Sequence, residues 1–257
     1  MASEPARWLA DFALCVGFFT RLPMAALASP PRFADALWAA PVAGAVVGFS
    51  VAFLGLVLLW LGVPPMAAAA LALGGGIWLT GALHEDGLAD VADGFGGGRD
   101  REAKLAIMRD SRIGTYGVVA LVLSLLLRWT ALIALAGLAW PTLVAVCVAA
   151  HATSRALLPA FIAVVPPARA DGLGAGVGAV SSNTAIIAAV LGAAALALTG
   201  AKMFVVCAVL LAAVFVGLSR LARGQIGGQT GDVLGSLQQA AETAILIAAS
   251  SILGMTA

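Results

Sequence analysis

Charge is scarce in this sequence. Its 257 residues include 14 Lys or Arg and 13 Asp or Glu, 11% in all, against about a quarter in ordinary soluble domains. With a mean hydropathy of +1.05, that shortage excludes a conventional soluble enzyme. Cysteine is equally sparse. Cys15, Cys147 and Cys207 sit singly in apolar segments, without CxxC or Cys/His ligand spacing. A zinc site or disulfide framework is therefore not expected, and core packing is. The N-terminal stretch does not read as a signal peptide, because Asp11 interrupts it, Arg21 closes it and no clear small-residue cleavage site follows. No tandem repeat of useful length is visible, and a net charge of +1 says nothing about partners.

Long apolar runs are what the sequence does have. Spans are predicted at roughly 36–60, 66–83, 114–137, 141–165, 183–199, 203–219 and 233–253, separated by turn signals such as Gly62-Val63-Pro64-Pro65 and Pro166-Pro167. A bilayer core about 30 Å thick suits helices of this length and demands internally satisfied backbone. The expected fold is all-α: a polytopic membrane bundle of about seven transmembrane helices, read as one membrane-embedded catalytic domain over 1–257. Trp8, Phe12, Cys15, Val16 and Phe19 share one helical face, with Arg7 and Asp11 off it. That predicts an N-terminal helix in the interface or packed beneath the bundle. With the N-terminus in the cytoplasm, Arg7, Arg21, Arg32, the five basic residues of 99–112, Arg169, Arg220 and Arg223 all lie inside, leaving only Lys202 outside. The positive-inside rule prefers that orientation, and it puts the polar connectors on the cytoplasmic face.

One connector stands apart. Residues 84–113 run from the acidic block His84-Glu85-Asp86-Gly87-Leu88-Ala89-Asp90-Val91-Ala92-Asp93-Gly94, through a glycine cluster, to a basic segment ending at Arg112. Twelve of the 27 charged residues fall between His84 and Arg112. Asp86, Asp90 and Asp93 are spaced i, i+4, i+7, within about a 60° arc of a helix, and Glu85 lies to one side. Carboxylates so close repel one another unless a hard cation such as Mg²⁺ lies among them. Gly87, Gly94 and Gly96 to Gly98 would let backbone approach a bulky anionic ligand. The competing reading is a solvated acidic loop.

The bases that follow suggest phosphate. Arg101, Lys104, Arg109 and Arg112 are expected on one face of a short helix, and acids holding metal beside bases holding phosphate suit phosphoryl transfer. Anionic lipid headgroups are the alternative for Arg101 and Lys104. Arg128, His151 and Arg155 fall inside predicted spans. Arg155 is a ligand candidate, and a structural pairing of these charges with an acid such as Glu242 is the alternative. Gly227-Gly228-Gln229-Thr230-Gly231-Asp232 opens the last span, where Asp232 is either a further metal or nucleotide contact or a helix cap.

At these residues the chain resembles the adenosylcobinamide-GDP ribazoletransferase, or cobalamin synthase, family. The resemblance runs through Phe18-Phe19-Thr20-Arg21-Leu22-Pro23, the His84–Gly94 block, Met108-Arg109-Asp110-Ser111-Arg112-Ile113-Gly114-Thr115-Tyr116-Gly117, and Gly227 to Gly235. It implies a Mg²⁺-dependent enzyme of the bacterial cytoplasmic (inner) membrane with its active site facing the cytoplasm. In that reaction α-ribazole, or its 5′-phosphate, attacks the phosphate next to cobinamide in adenosylcobinamide-GDP. GMP leaves, and adenosylcobalamin or its 5′-phosphate forms. Resemblance and residues together give Glu85, Asp86, Asp90 and Asp93 as metal ligands, with Asp86, Asp90, Asp93, Arg109 and Arg112 catalytic. Arg21, Gly94, Arg101, Lys104, Arg155, Thr230 and Asp232 are then substrate contacts. The expected partners are the two substrates and the bilayer, with no nucleic acid; self-association or a membrane biosynthetic complex stays open. A CDP-alcohol phosphotransferase shares Asp90-x-x-Asp93-Gly94, but the rest of that motif is missing. A divalent-cation transporter would place its acids at mid-membrane rather than in a connector.

Overall fold

The computed structural model describes residues 4–25, 29–171 and 176–254, and the described residues are helical with no strand among them. Helix α1 (Glu4–Phe19) leads to α2 (Phe33–Ala36), a 3-10 turn (Leu37–Ala39) and α3 (Ala40–Trp60). There follow α4 (Pro65–Thr80), α5 (Leu83–Gly97), α6 (Arg101–Ile107), α7 (Thr115–Leu135) and α8 (Trp140–Val164). The chain ends with α9 (Ser182–Ala197), α10 (Ala201–Ile226) and α11 (Gly231–Leu253).

The bundle is organised around α8, which packs against α3, α9 and α11. Small residues set how closely these helices meet. A Cβ at Gly44 or Gly48 would overlap the backbone carbonyl of His151 or Cys147. This pair, four residues apart, lets α3 and α8 touch backbone to backbone, the geometry favoured where lipid supplies no hydrophobic drive between helices. Outward faces remain apolar. Val119, Val122, Leu123 and Leu126 on α7, and Val205 and Val209 on α10, are exposed, as a lipid-facing surface requires. The protein is an all-α membrane helical protein.

Among the described residues, four helical stretches are long and apolar enough to cross a membrane: Phe33–Trp60, Thr115–Leu135, Trp140–Val164 and Ala201–Ile226. All seven expected spans coincide with helices, but three do not qualify alone. Helices α4 and α9 have 16 residues each, and α11 carries Gln238, Gln239 and Glu242 in its first half. Counting α4 and α5 as one broken span would give a fifth, bent by 89°. The bend falls at Gly81 and Ala82, both left-handed with φ of 67° and 58°. Such a φ costs a residue bearing a Cβ roughly 1–2 kcal/mol. The Gly81 and Ala82 amides close onto the Trp78 and Ile77 carbonyls, ending α4 and turning the polar helix α5 away from its direction.

Helix α1 buries Cys15, Val16 and Phe19 as the apolar face predicts, but its outer half is rotated from expectation. Trp8 is 63% exposed, whereas Asp11 is buried, where it accepts a hydrogen bond of 2.8 Å from Trp38 Nε1. The polar indole edge of Trp38 recruits the carboxylate. All three cysteines are buried and free, in agreement with the core-packing expectation.

Replacing Gly44 with Leu should lower stability by at least about 1–3 kcal/mol, the usual cost of overpacking, because the obstacle is backbone and cannot rotate away. Phe49→Leu, on the exposed face of the same helix, should change little. Thermal unfolding of the two variants in detergent checks the contrast.

Candidate active site

Helix α5 divides its four carboxylates between two sides. Asp86 is exposed and Asp90 half-buried, while Glu85 and Asp93 are buried. Both oxygens of Asp93 accept backbone hydrogen bonds, from Gly114 N at 2.7 Å and Gly117 N at 2.8 Å. They lie at the N-terminus of α7, where amides lack intrahelical partners and a negative charge is favoured. Glu85 points into the bundle. Its Oε1 is 3.0 Å from Arg128 Nη1 and 3.2 Å from Gln239 Nε2.

Arg128 is the centre of a buried ion network. Its Nη1 also lies 3.1 Å from Glu242 Oε1. Glu242 Oε2 accepts from Gln238 Nε2 at 2.6 Å and stands 2.9 Å from His151 Nδ1. Arg155 donates from Nη1 to the His151 carbonyl at 3.1 Å, and its guanidinium carbon sits 5.9 Å from the centre of the Phe19 ring. Four helices, α5, α7, α8 and α11, are tied by these groups. The structural pairing of Arg128 with Glu242 raised from sequence is present.

Beside this network, the first turn of α11 meets α5. Gly87 packs so closely that a Cβ there would stand 2.8 Å from the Asp232 carbonyl oxygen. Asp86 and Asp232 thereby flank a cavity of about 230 Å³ whose other walls are mostly apolar. Partial burial, then the charges of Asp86, Asp232 and Asp93, push the Asp90 carboxyl up to about 7. Thr230 caps α11, its hydroxyl accepting from Val233 N at 3.3 Å and bonding Asp232 Oδ2 at 3.1 Å. The loop before it is zipped to the end of α8: Gln229 N donates to Pro166 O, and Ala168 N to Gln229 O, both at 2.8 Å. Arg169 Nη2 approaches Asp232 Oδ2 at 3.9 Å.

Comparison with known proteins fits this arrangement. The model of the family described as cobalamin-5-phosphate synthase matches residues 11–250. The chain belongs to that family. Among curated relatives, the adenosylcobinamide-GDP ribazoletransferase of Mesorhizobium japonicum is 53% identical, over 96% of this chain and 95% of its own. The protein of that name from Bradyrhizobium diazoefficiens is 49% identical, over 95% and 94% respectively. No solved structure matches.

Within this cobalamin-5-phosphate synthase fold, the sequence-predicted residues separate into groups. Asp86, Asp90 and Asp232 share one locality. Glu85 and Asp93 stand apart from them, Glu85 held by Arg128 and Asp93 by the α7 amides. Among the described residues, no three His, Cys, Asp or Glu side chains are placed to hold a metal by themselves. The glycines make close contacts within the protein. A Cβ at Gly94 would collide with Met108, and one at Gly96 would lie 2.8 Å from the Tyr116 ring.

The basic residues are dispersed too. Helix α6 ends at Ile107, so Arg109 and Arg112 leave the shared face expected of them. Arg101 donates from Nε to the Ile226 carbonyl at 2.8 Å and from Nη2 to the Ala168 carbonyl, fastening α6 to the end of α10. Lys104 packs its stem and backbone against Gly98. Arg112 pairs with Asp110 at 2.6 Å, and its hydrogen bonds hold that carboxyl down to about 2. Arg109 pairs with Asp171 at 2.6 Å in an exposed bridge. Arg155 belongs to the buried network, and Arg21 covers the α4–α5 bend, its Nε 2.6 Å from where a Gly81 Cβ would sit. Thr230 is a cap. His84, Arg169 and Asp171 were not identified from sequence; Asp171, in the Asp171-Gly172-Leu173 tripeptide that echoes Asp86-Gly87-Leu88, gave no usable signal.

Two outcomes follow. Arg128→Met should cost about 3–5 kcal/mol of stability, since it leaves buried carboxylates unpaired; adding Glu242→Gln should recover part of it, as thermal unfolding in detergent would show. Asp90 gives the second. Its carboxyl in the folded chain titrates at about 7 rather than 3.8, so the folded state prefers the protonated form. The stability this contributes at acid pH is lost as pH rises from about 4 towards 7. The unfolding midpoint of metal-free protein should fall across that window, and Asp90→Asn should flatten the fall.

Proposed function

We propose that this chain transfers the adenosylcobinamide phosphate unit of adenosylcobinamide-GDP to a ribose hydroxyl of α-ribazole or its 5′-phosphate. The new bond joins the acceptor oxygen to the phosphorus next to cobinamide, the phosphoanhydride breaks, and GMP leaves. Family membership carries the reaction. The observation that carries the site is the convergence of Asp86, Asp90 and Asp232 beside a cavity where α5 meets α11.

Mg²⁺ fits this donor set. The ion takes hard oxygen ligands and is usually held by one or two carboxylates, with water and substrate phosphate completing its shell, which suits Asp86 and Asp232 better than a four-carboxylate cage. When bound, it would neutralise charge developing on the diphosphate. Asp90, the half-buried carboxylate beside Asp86 and Asp232, takes the acceptor proton in this reading as a positioned general base. Arg109 is a candidate phosphate contact. Its exposed bridge to Asp171 is of the kind worth about 0–1 kcal/mol, so exchanging Asp171 for phosphate is cheap.

The site faces the cytoplasm in this reading. Support comes from the arginines: Arg101 binds the end of α10, Arg223 donates to the Val164 carbonyl, Arg109 reaches Asp171 and Arg169 approaches Asp232. These contacts gather the basic connectors at one end of the bundle with the acids, as the positive-inside rule asks of a cytoplasmic face.

Membranes containing the protein should release GMP from adenosylcobinamide-GDP only when α-ribazole and Mg²⁺ are both present. Asp90→Asn should lower kcat by about 10²–10⁴, the usual contribution of a proton-transfer group. Asp86→Asn and Asp232→Asn should raise the Mg²⁺ concentration needed for half-maximal rate. Asp93→Asn should chiefly weaken the fold. Correctly inserted wild-type protein that releases no GMP would sink the proposal.

A further inference from the structure

The cavity beside Asp86 is larger than a hydrated cation requires and has the wrong walls for one. Phe18, Phe19, Phe33, Leu158, Ile162 and Leu234 line most of its 230 Å³, and Asp86 and Asp232 stand together at its border. The aromatic wall is ordered. Phe18 lies edge-on to Phe19 with centroids 4.9 Å apart and meets Phe33 at 4.5 Å, while the His84 ring stacks on Phe19 at 5.8 Å and 11°. His84 is 97% buried (3% exposed), and its Nε2 has no hydrogen-bond partner among the described residues. His84 stands between this cavity and the buried network around Arg128 and Glu242, bordering both, and an unpaired buried polar atom costs about 1–3 kcal/mol. A ligand that supplies its partner removes the cost.

We propose that this cavity receives the planar base of the ribazole acceptor, with His84 Nε2 bonded to the base's unsubstituted ring nitrogen and the ribose directed towards Asp86 and Asp232. The inference rests on the ribazoletransferase reading. Ribazole carries a dimethylbenzimidazole, a flat bicycle whose only polar atom beyond the glycosidic nitrogen is one acceptor nitrogen. The cavity matches that chemistry in kind: aromatic and aliphatic walls, one polar side chain on the wall, and carboxylates where the sugar hydroxyls emerge.

Guanine, the other base in the reaction, fits poorly. Its carbonyl, amide and amino groups would lie against Phe and Leu side chains, and each unpaired group carries a penalty of its own. A lipid tail would bury the apolar walls but leave His84 Nε2 unpaired. The corrin is excluded by size, since pockets for whole drug-sized ligands run from about 300 to 1,000 Å³. The assignment makes α1, which supplies Phe18 and Phe19, part of the acceptor site.

The test uses the full-length protein in detergent or nanodiscs, with adenosylcobinamide-GDP, α-ribazole and Mg²⁺, following GMP. Free 5,6-dimethylbenzimidazole should inhibit competitively against α-ribazole and not against adenosylcobinamide-GDP. Ile162→Trp, which fills the cavity, should raise KM for α-ribazole about tenfold or more, within the range that pocket-filling changes give, and leave KM for adenosylcobinamide-GDP unchanged. Leu158→Phe replaces it if that variant does not fold. 5,6-Dimethylindole, which lacks the acceptor nitrogen, should inhibit about tenfold more weakly than the benzimidazole, and His84→Phe should erase that difference. Competition by the benzimidazole against adenosylcobinamide-GDP, or an unchanged KM for α-ribazole in the filled cavity, would overturn the base assignment while the transferase reading stood. Wild-type protein without GMP release would remove that reading, and direct binding of 5,6-dimethylbenzimidazole by ligand-observed NMR, lost in Ile162→Trp, would then decide the cavity by itself.

Discussion

The arrangement of the acidic helix depends on a single electrostatic constraint: charges inside an apolar bundle must be paired. Arg128 is 2% exposed on a helix whose other faces meet lipid or core. An unpaired arginine at that depth costs about 2.5–3.5 kcal/mol even on the mildest scales. Glu242 from α11 answers it on one side and Glu85 from α5 on the other. The second pairing matters most, because α5 is polar, leaves α4 through a left-handed bend and has little apolar surface with which to hold itself against the bundle. Glu85 and Asp93 anchor its two ends to α7. With those carboxylates turned inward, helical periodicity turns Asp86 and Asp90 towards the cavity and Asp232.

This division explains which part of the site was legible in the sequence. The i, i+4 spacing of Asp86 and Asp90 fixes their common side in any helix, so their juxtaposition was readable. The further step to Asp93 satisfied the same arc, but arcs describe direction and not neighbours. Gly114 and Gly117 reach Asp93 only because the chain returns after α6 to start α7 there, and a helix start nearby takes a carboxylate readily. The inward turn of Glu85 was hidden for a related reason. Burial cost flagged Arg128 and named Glu242 as a partner, yet nothing local marks Glu85 as the second.

The fold shows the same limits. Hydropathy located every helix that became a predicted span, since apolar runs and Gly/Pro breaks are local properties. It did not reveal that Gly81-Ala82 turns the chain by 89°, because alanine carries no signal for a left-handed φ that its surroundings impose. Nor did it separate helices that meet lipid from α11, whose Gln238, Gln239 and Glu242 are buried against other helices. The basic segment failed by length. Continuing α6 through Arg112 would align four bases, but Met108, Arg109 and Asp110 close onto carbonyls of the preceding turn and the helix stops.

Charge balance sets where positive charge for a diphosphate can come from. In the buried network the two arginines, Arg128 and Arg155, balance the two glutamates, Glu85 and Glu242. Withdrawing Arg155 to meet a phosphate would leave an excess of negative charge in the least polar part of the molecule. Arg101 is held by the carbonyls of Ile226 and Ala168, and Arg112 by Asp110. The exposed Arg109, whose bridge to Asp171 is weak, is held less tightly, as is Arg169, 18% exposed at its side chain and only 3.9–4.0 Å from its acidic partners. In the proposed reaction a polyanionic substrate would approach three carboxylates, and a divalent cation among them would offset that repulsion without drawing on the arginines of the core.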